Sequence, residues 1–360
     1  MVRTWTLAPA PMVDRDAIWD FAQSAEAQGW DGVMFPDNQS LWGDTYVSMT
    51  IAAEATSSLQ LGHASTNAGT RHPAVTASAV AAVDRISGGR ASLGIARGDS
   101  ALAHVGSAPV SVAHFEKYVS VVRRLLHGET VPFDACDTWR PSAAAASLPL
   151  SDAPDGTKLH FLEQQSSTPI TIYASGPKTM EVAGRHADVA LFGLGASAER
   201  IAWGMDVVRR AAEEYGRDSS AVRFGALMSI AVSDDREAAR RLVANIVASA
   251  ARFSSLHGRV SGPVSTADRS VYESVAQTYN MRAHGETSSQ VRALNDEFID
   301  AFAVVGEVDH CVDRLRELVS LGLDELLLIV PRNDQASVGA ESATAVVEAV
   351  LPRLKQAAVV

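Results

Sequence analysis

Asp37 and Asn38 lie side by side just past the apolar run from Asp31 to Phe35, and the turn Gly98-Asp99-Ser100 lies just past another, Arg90 to Ala96. A carboxylate can hold a substrate donor or move a proton, whereas an asparagine amide neither gains nor loses one near neutral pH. If the chemistry needs an acid, it must come from elsewhere, and His72 and His284 are the candidates. The blander readings are an ordinary turn for Asp37-Asn38 and a helix cap for Asp99. Ser175-Gly176-Pro177-Lys178 offers different chemistry. It follows the apolar run Ile170 to Ala174 and opens a helical segment, so a bare glycine, a first-turn proline, free N–H groups and Lys178 together suit a phosphate. Gly193-Leu194-Gly195 is a second place where a ligand could approach the backbone closely. Gly98-Asp99-Ser100 completes neither the G-x-x-x-x-G-K-[ST] nor the G-x-G-x-x-G pattern. Trp42 can stack on a ring or simply fill a core. His63 and His104 lack ligand spacing with other histidines or carboxylates, so no metal is expected.

The elements that must position these groups are clearest between Leu61 and Gly106. Leu59 to Thr66 reads as a short buried strand and Ala74 to Ile86 as an amphipathic helix stopped by Ser87-Gly88-Gly89. Arg90 to Ala96 reads as the next strand. A strand, helix and strand joined by short links form a βαβ unit with parallel strands. The polar loops Ser65 to Arg71 and Arg97 to Ser100 then emerge at the same carboxyl edge, where α/β folds bind ligands. With 360 residues, 47% of them hydrophobic, the chain can bury a large core. Its net charge of −11 comes without a basic tract, which argues against nucleic acid or an anionic membrane as partner. Cys136 and Cys311 lie far apart, the Met1 start has no charged-then-apolar leader, and no apolar run approaches the ~18 residues of a membrane span. A reduced, cytoplasmic protein is expected.

Read in order, the unit repeats. Strands are expected at Arg3 to Ala8, Asp31 to Phe35, Leu59 to Thr66, Arg90 to Ala96, Ile170 to Ala174, Val189 to Phe192, Val222 to Val232 and Glu325 to Val330, with helices between them. Eight such units argue for a single (β/α)₈ TIM barrel spanning residues 1–360, ahead of two doubly wound domains split near residue 150. Two stretches break the pattern and read as insertions, about 129 to 168, with a small hairpin, and about 254 to 298, helical around Val271 to Tyr279.

The run Val75 to Gly106, the loop Thr66-Asn67 with Thr70-Arg71-His72-Pro73, and Tyr173 to Lys178 with Ala183-Gly184 and Ala187-Asp188 carry a resemblance. In these residues the chain resembles the bacterial-luciferase-like flavin and deazaflavin oxidoreductases. Within them it resembles most the branch of the methylene-tetrahydromethanopterin reductases, which use coenzyme F-420. The resemblance implies a flavin-type ring at the carboxyl edge with its phosphate on Ser175, Gly176, Pro177 and Lys178. Gly98, Ser100 and Gly193 would lie nearby. It also implies a bulge at the end of the third strand, with a non-proline cis peptide between Ala64 and Ser65 behind the ring and Thr66 and Asn67 beside it. Asp37, Asn38, His72 and Asp99 would then face the chemistry, with Trp42 and His284 toward the substrate. Where this branch often has Asp-His, the chain has Asp37-Asn38.

Three functions follow from that resemblance. The first is hydride transfer between the deazaflavin C5 and a small organic substrate, with the protein orienting both and excluding water. The second is an FMN-dependent monooxygenase fed by a separate flavin reductase, and the third is a flavin-binding protein without catalysis. A homodimer is expected in each case.

Overall fold

The alternation of short buried runs with amphipathic segments produces eight parallel strands, each followed by helical cover, in the computed structural model. The structure describes residues 1–136, 154–255, 259–280, 289–331 and 337–356. The first half of the chain contains β1 (Arg3–Leu7), α1 (Arg15–Ala27), β2 (Gly32–Phe35), α2 (Thr45–Ala55), β3 (Gln60–His63), β4 (Thr66–Asn67), α3 (Pro73–Ser87), β5 (Leu93–Ala96), α4 (Ser100–Ala103) and α5 (Val112–Leu126). A short hairpin follows, β6 (Val131–Pro132) with β7 (Gly156–Thr157), and then β8 (Ile170–Ala174), α6 (Pro177–His186), β9 (Val189–Phe192) and α7 (Ala198–Glu214). The last part contains β10 (Arg223–Val232), α8 (Arg236–Ser255), α9 (Thr266–Thr278), α10 (Asp296–Phe302), β11 (Val304–Gly306), α11 (Val308–Ser320), β12 (Glu325–Ile329), α12 (Ser337–Ala345) and α13 (Leu351–Gln356).

The sheet runs β3, β2, β1, β12, β10, β9, β8, β5, β4, and every pairing in it is parallel. β3 and β4 are two halves of one expected strand, and a bridge between Leu61 and Ala91 joins the first half to the approach to β5, which closes the barrel. The expected (β/α)₈ architecture is therefore present, with three local corrections. The third strand is interrupted at residues 64 and 65, where the Ala64–Ser65 peptide is cis, as expected. The fourth begins its ladder at Leu93 rather than Arg90. A short strand absent from the sequence reading, β11, pairs with the far end of the long β10.

Two cores hold these layers. Most buried side chains lie between the helices and the outer face of the barrel, among them Phe35, Met49, Phe115, Tyr118 and Phe192. A smaller cluster of Trp5, Met34, Leu191 and Leu327 fills the lumen. Bare backbone makes room for it: a Cβ on Gly32 would fall 2.3 Å from the Trp5 ring, and one on Gly62 would fall 2.5 Å from the Met34 sulfur. At the amino-terminal end Glu325, 2% exposed, takes Arg3 at 3.0 Å, Arg223 at 2.8 Å and the Trp5 indole N–H at 3.1 Å. That end is where such barrels hold stability rather than function. The insertion after α8 forms its own cluster around Val247, Tyr272, Val275 and Phe298 beyond the barrel. Cys136 and Cys311 are buried and unbridged, and burial pushes the Cys311 thiol up to about 12. Among the described residues no helix is long and apolar enough to cross a membrane.

Candidate active site

Above the filled lumen, the next inward-facing side chains are only partly covered. Leu7, Ala64, Tyr173 and Leu227 pack on the lumen cluster from above and keep part of their surface open, and Ile329, at the end of β12, is likewise only partly buried. Such an apolar floor at the carboxyl end of the strands is the surface a flat ring would cover. Its rim consists of the loops singled out in the sequence.

Asp37, following β2, is buried and fully engaged. Its carboxylate accepts from Thr66 Oγ1 at 2.6 Å and from both terminal nitrogens of Arg71, with Nη2 at 3.3 Å from Oδ1 and a shorter contact from Nη1. Arg71 also donates to Asp44 at 3.0 Å, and its cation lies 5.1 Å over the Tyr46 ring. Burial alone would weaken the Arg71 cation, but the Asp37 hydrogen bond and charge raise its proton affinity above the ordinary value. Tyr118 donates to the Arg71 carbonyl at 3.0 Å and meets Thr76 Oγ1 at 2.7 Å. Sequence reasoning quoted Arg71 only as part of a motif and missed this network. Its one local signal is a lone arginine in the loop after β4.

Asn38 does not join that network. Its amide donates to Ser100 Oγ at 2.9 Å and its side-chain oxygen accepts from Ser40 N at 3.1 Å, so it ties the second strand's loop to the fourth strand's loop. His72 is the N-cap of α3, with Nδ1 accepting from Ala74 N at 3.1 Å. Burial lowers its proton affinity. The cap therefore engages the His72 nitrogen that an acid would need protonated. Asp99 does not cap α4, so the cap reading is set aside; its carboxylate forms an ion pair with Arg252 near the end of α8. That pair brings the second insertion's approach to the barrel mouth. His284 lies outside the described residues. Trp42 is half-buried, and its indole N–H is buried without a partner.

The bulge rests on His63, which is completely buried. Its Nδ1–H donates to the Ser92 carbonyl at 3.2 Å, and its ring meets Tyr46 edge-on at 4.8 Å. Burial depresses its pKa to about 4, so it is a neutral part of the frame. Gly94 lies against the same place: a Cβ there would fall 1.9 Å from the His63 carbonyl oxygen. Asn67 Oδ1 accepts from Gly69 N and Thr70 N, both at 3.0 Å, and leaves Nδ2 buried without a partner; Thr70 Oγ1 is also unpartnered.

The candidate glycines separate by what fills their missing side chains. Gly98, at φ +90°, admits Leu102, whose Cδ1 would lie 2.5 Å from a Cβ, and Gly193 faces Ser175 Oγ at 2.8 Å. Both are explained by packing within the protein. Gly176 has no protein atom within 4 Å of a Cβ position and an ordinary φ of −127°. It is the N-cap of α6 with no side-chain cap, Pro177 opens the helix, and Lys178 is exposed beside it. Pro177 has no N–H, and Thr179 N and Met180 N donate to the Gly176 carbonyl at 3.1 Å, so the Lys178 N–H is the first-turn donor left for a ligand. An apolar floor, unpartnered donors at Asn67 and an uncapped helix start fit a flat heteroaromatic ring with a phosphate-bearing tail.

The same fold occurs in known proteins. Residues 2–325 match the model of the family described as luciferase-like monooxygenase. The chain is 29% identical over 322 residues to a 5,10-methylenetetrahydromethanopterin reductase of Methanolobus tindarius, covering 85% of this chain and 88% of that protein. Among solved structures it resembles the coenzyme F-420-dependent tetrahydromethanopterin reductase of Methanopyrus kandleri, with TM-score 0.72, 20% identity and coverage of 98% and 99% of the two chains. It also resembles an F-420-dependent secondary alcohol dehydrogenase, with TM-score 0.71, 16% identity and the same coverage.

Proposed function

The chain belongs to the luciferase-like monooxygenase family, and from that premise we propose that it is a deazaflavin oxidoreductase that uses coenzyme F-420 for hydride transfer to or from a small organic substrate. The observation that carries the reading is the partly open floor of Leu7, Ala64, Tyr173, Leu227 and Ile329 next to the uncapped start of α6. The similarity to reductases over 85% of the chain supports the choice of cofactor. Bound there, the deazaflavin supplies a hydride donor or acceptor at one ring carbon.

The chain's own residues do the rest. Ala64 and Ser65 would back the ring from the third strand with Asn67 beside it, and Gly176 with the Lys178 N–H and ammonium would hold the phosphate. Asp37, fixed by Arg71 and Thr66, presents an immobile carboxylate at the rim, and Asp99 presents a second one from the opposite loop. Asn38 keeps these two loops in register through Ser100. With the Asn38 amide in place of a histidine, the second strand's loop has no titrating ring of its own; the ring that approaches it is His104, with Nδ1 3.5 Å from the Asn38 amide nitrogen. The expected homodimer is part of the same proposal.

Anaerobic titration with oxidised and reduced F-420, followed by the deazaflavin absorbance in the presence of candidate alcohols, ketones and imines, tests the reading. Binding together with anaerobic bleaching or recovery of the absorbance supports it. Oxygen consumption with reduced FMN and no response to F-420 would replace it with the monooxygenase reading.

A further inference from the structure

Beside Asn38 stands an imidazole outside the set of residues expected to face the chemistry. His104 follows the last turn of α4 and is exposed, and its Nδ1 has two neighbours, the Ser100 carbonyl oxygen at 2.7 Å and the Asn38 amide nitrogen at 3.5 Å. A carbonyl oxygen can only accept, so Nδ1 carries the hydrogen of the shorter contact. The Asn38 amide, which already donates to Ser100 Oγ at 2.9 Å, lies alongside the ring without a bond to it. In the neutral ring the lone pair is then on Nε2, which has no partner among the described residues. Gln39 Nε2 donates to the Ala101 carbonyl at 2.9 Å, so two side chains of the β2 loop fasten α4 and hold the ring at the rim that follows β2.

Hydride transfer to a carbonyl carbon needs a proton for the oxygen, and the other groups of this rim are engaged. Asp37 accepts from Thr66 and Arg71, and Asp99 pairs with Arg252. His72 Nδ1 caps α3. His114, half-buried on α5, donates Nε2 to the Ala68 carbonyl at 3.2 Å, and no bond among the described residues ties it to the β2 loop. Burial holds the Tyr173 phenol far above its ordinary proton affinity. The charged groups of the two loops that His104 joins are bonded elsewhere: Asp37 and Asp44 to Arg71, Asp99 to Arg252, and Arg97 Nε to the Val110 carbonyl at 2.7 Å. His104 thus combines exposure, a tautomer fixed by the backbone and a lone pair at the mouth.

We propose that His104 is the acid–base residue of the reaction and that the substrate is an alcohol in one direction and its ketone in the other. In oxidation the C–H bond breaks with its electron pair leaving as hydride to the bound deazaflavin, the O–H pair closes the carbon–oxygen double bond, and the hydroxyl proton passes to Nε2. In reduction the imidazolium returns that proton to the carbonyl oxygen as hydride reaches the carbon. An iminium takes hydride with no proton to place, so a poised imidazole favours the alcohol and ketone pair over it. The hydride step rests on the deazaflavin reading; the tautomer of the ring and its place beside Asn38 do not.

The test uses the full chain with F-420 and two pairs of probes, 2-propanol with acetone and cyclohexanol with cyclohexanone, beside His104→Asn, whose amide keeps a donor for the Ser100 carbonyl. The variant should hold F-420 within about twofold of wild-type affinity and lose about 10²-fold or more in kcat in both directions. In wild type, oxidation should slow as pH falls through the titration of the ring, because the imidazolium has no lone pair, and reduction should slow as pH rises through it. His104→Asn should lose both limbs, and imidazole added to His104→Gly should restore part of the rate. Long-range proton–nitrogen NMR of the chain without cofactor reads the ring independently of turnover. The signals missing from His104→Asn should show the Nδ1–H tautomer and a midpoint that coincides with the limb in kcat/KM.

Wild-type turnover by His104→Asn, a slower variant that keeps both pH limbs, the Nε2–H tautomer, or F-420 bound but reduced by neither alcohol would overturn the proposal and leave the deazaflavin reading standing. A chain that does not bind F-420 ends that reading and this proposal with it, an outcome seen in the binding titration before any turnover is measured.

Discussion

Replacing Arg71 by methionine tests whether the Asp37 carboxylate is held by a buried ion pair or merely rests near one. The substitution removes two donors from a carboxylate whose side chain is 5% exposed and leaves it, among the described residues, only Thr66 Oγ1. Breaking a buried pair by deleting one partner costs ~3–5 kcal/mol, since the remaining charge stays desolvated. The arm to Asp44, whose side chain is half-exposed, adds only ~0–1 kcal/mol, and the contact over Tyr46 about 0.5–1 kcal/mol. The Asp37 arm therefore dominates. Asp37→Asn alone should cost less, because an amide is easier to bury than a carboxylate, and the double variant should recover much of the Arg71→Met loss. Urea unfolding of the four proteins closes the cycle, with an expected coupling of about 1–3 kcal/mol. A loss below ~1 kcal/mol for Arg71→Met, or a double variant whose loss equals the sum of the singles, would refute the reasoning.

Gly176→Val should cost no more than the ~0.5–2 kcal/mol of a poorer N-cap, because the added side chain meets open space, and should weaken F-420 binding at least tenfold; unchanged affinity by titration removes the phosphate assignment. Asp99→Asn should lower kcat far more than cofactor affinity if the carboxylate faces the reaction, and equal turnover would leave it only its pairing with Arg252. His63 should make the protein acid-sensitive. Its folded value near 4 lies below the ordinary 6.5, so the unfolded chain binds more protons between them, and stability falls as pH drops through that window, by about 3 kcal/mol in all. His63→Phe should flatten this limb in denaturant unfolding from pH 7 to 4, and an unchanged slope would rule His63 out as its source. Gly94→Ala should cost at least ~1–3 kcal/mol by overpacking against the His63 carbonyl, and a stability within ~0.5 kcal/mol of wild type would mean the bulge yields freely.

The barrel is legible in the sequence because its strands are short apolar runs bounded by turn residues and several helices carry their own stop, as Gly88 does for α3 and Gly128 after α5. β11 is not. Val304-Val305-Gly306 is three residues long and follows α10 through Ala303, so its strand character comes from the overhang of β10 and not from its own pattern. The same division runs through the site. The strand-end positions of Asp37, Asp99 and Gly176 follow from the repeat, but the partners that decide what those groups can do come from separate parts of the chain. Asp37 owes its fixed carboxylate to Arg71, which a helix and a tyrosine from α5 support, and Asp99 meets Arg252 across more than 150 residues. Periodicity carries no information about such meetings, because charged side chains near loops read alike whether solvated or paired. The positions the repeat specifies are therefore suited to holding a ring and a phosphate. The partners of those positions come instead from elsewhere in the chain, as Asp99 meets Arg252 near the end of α8.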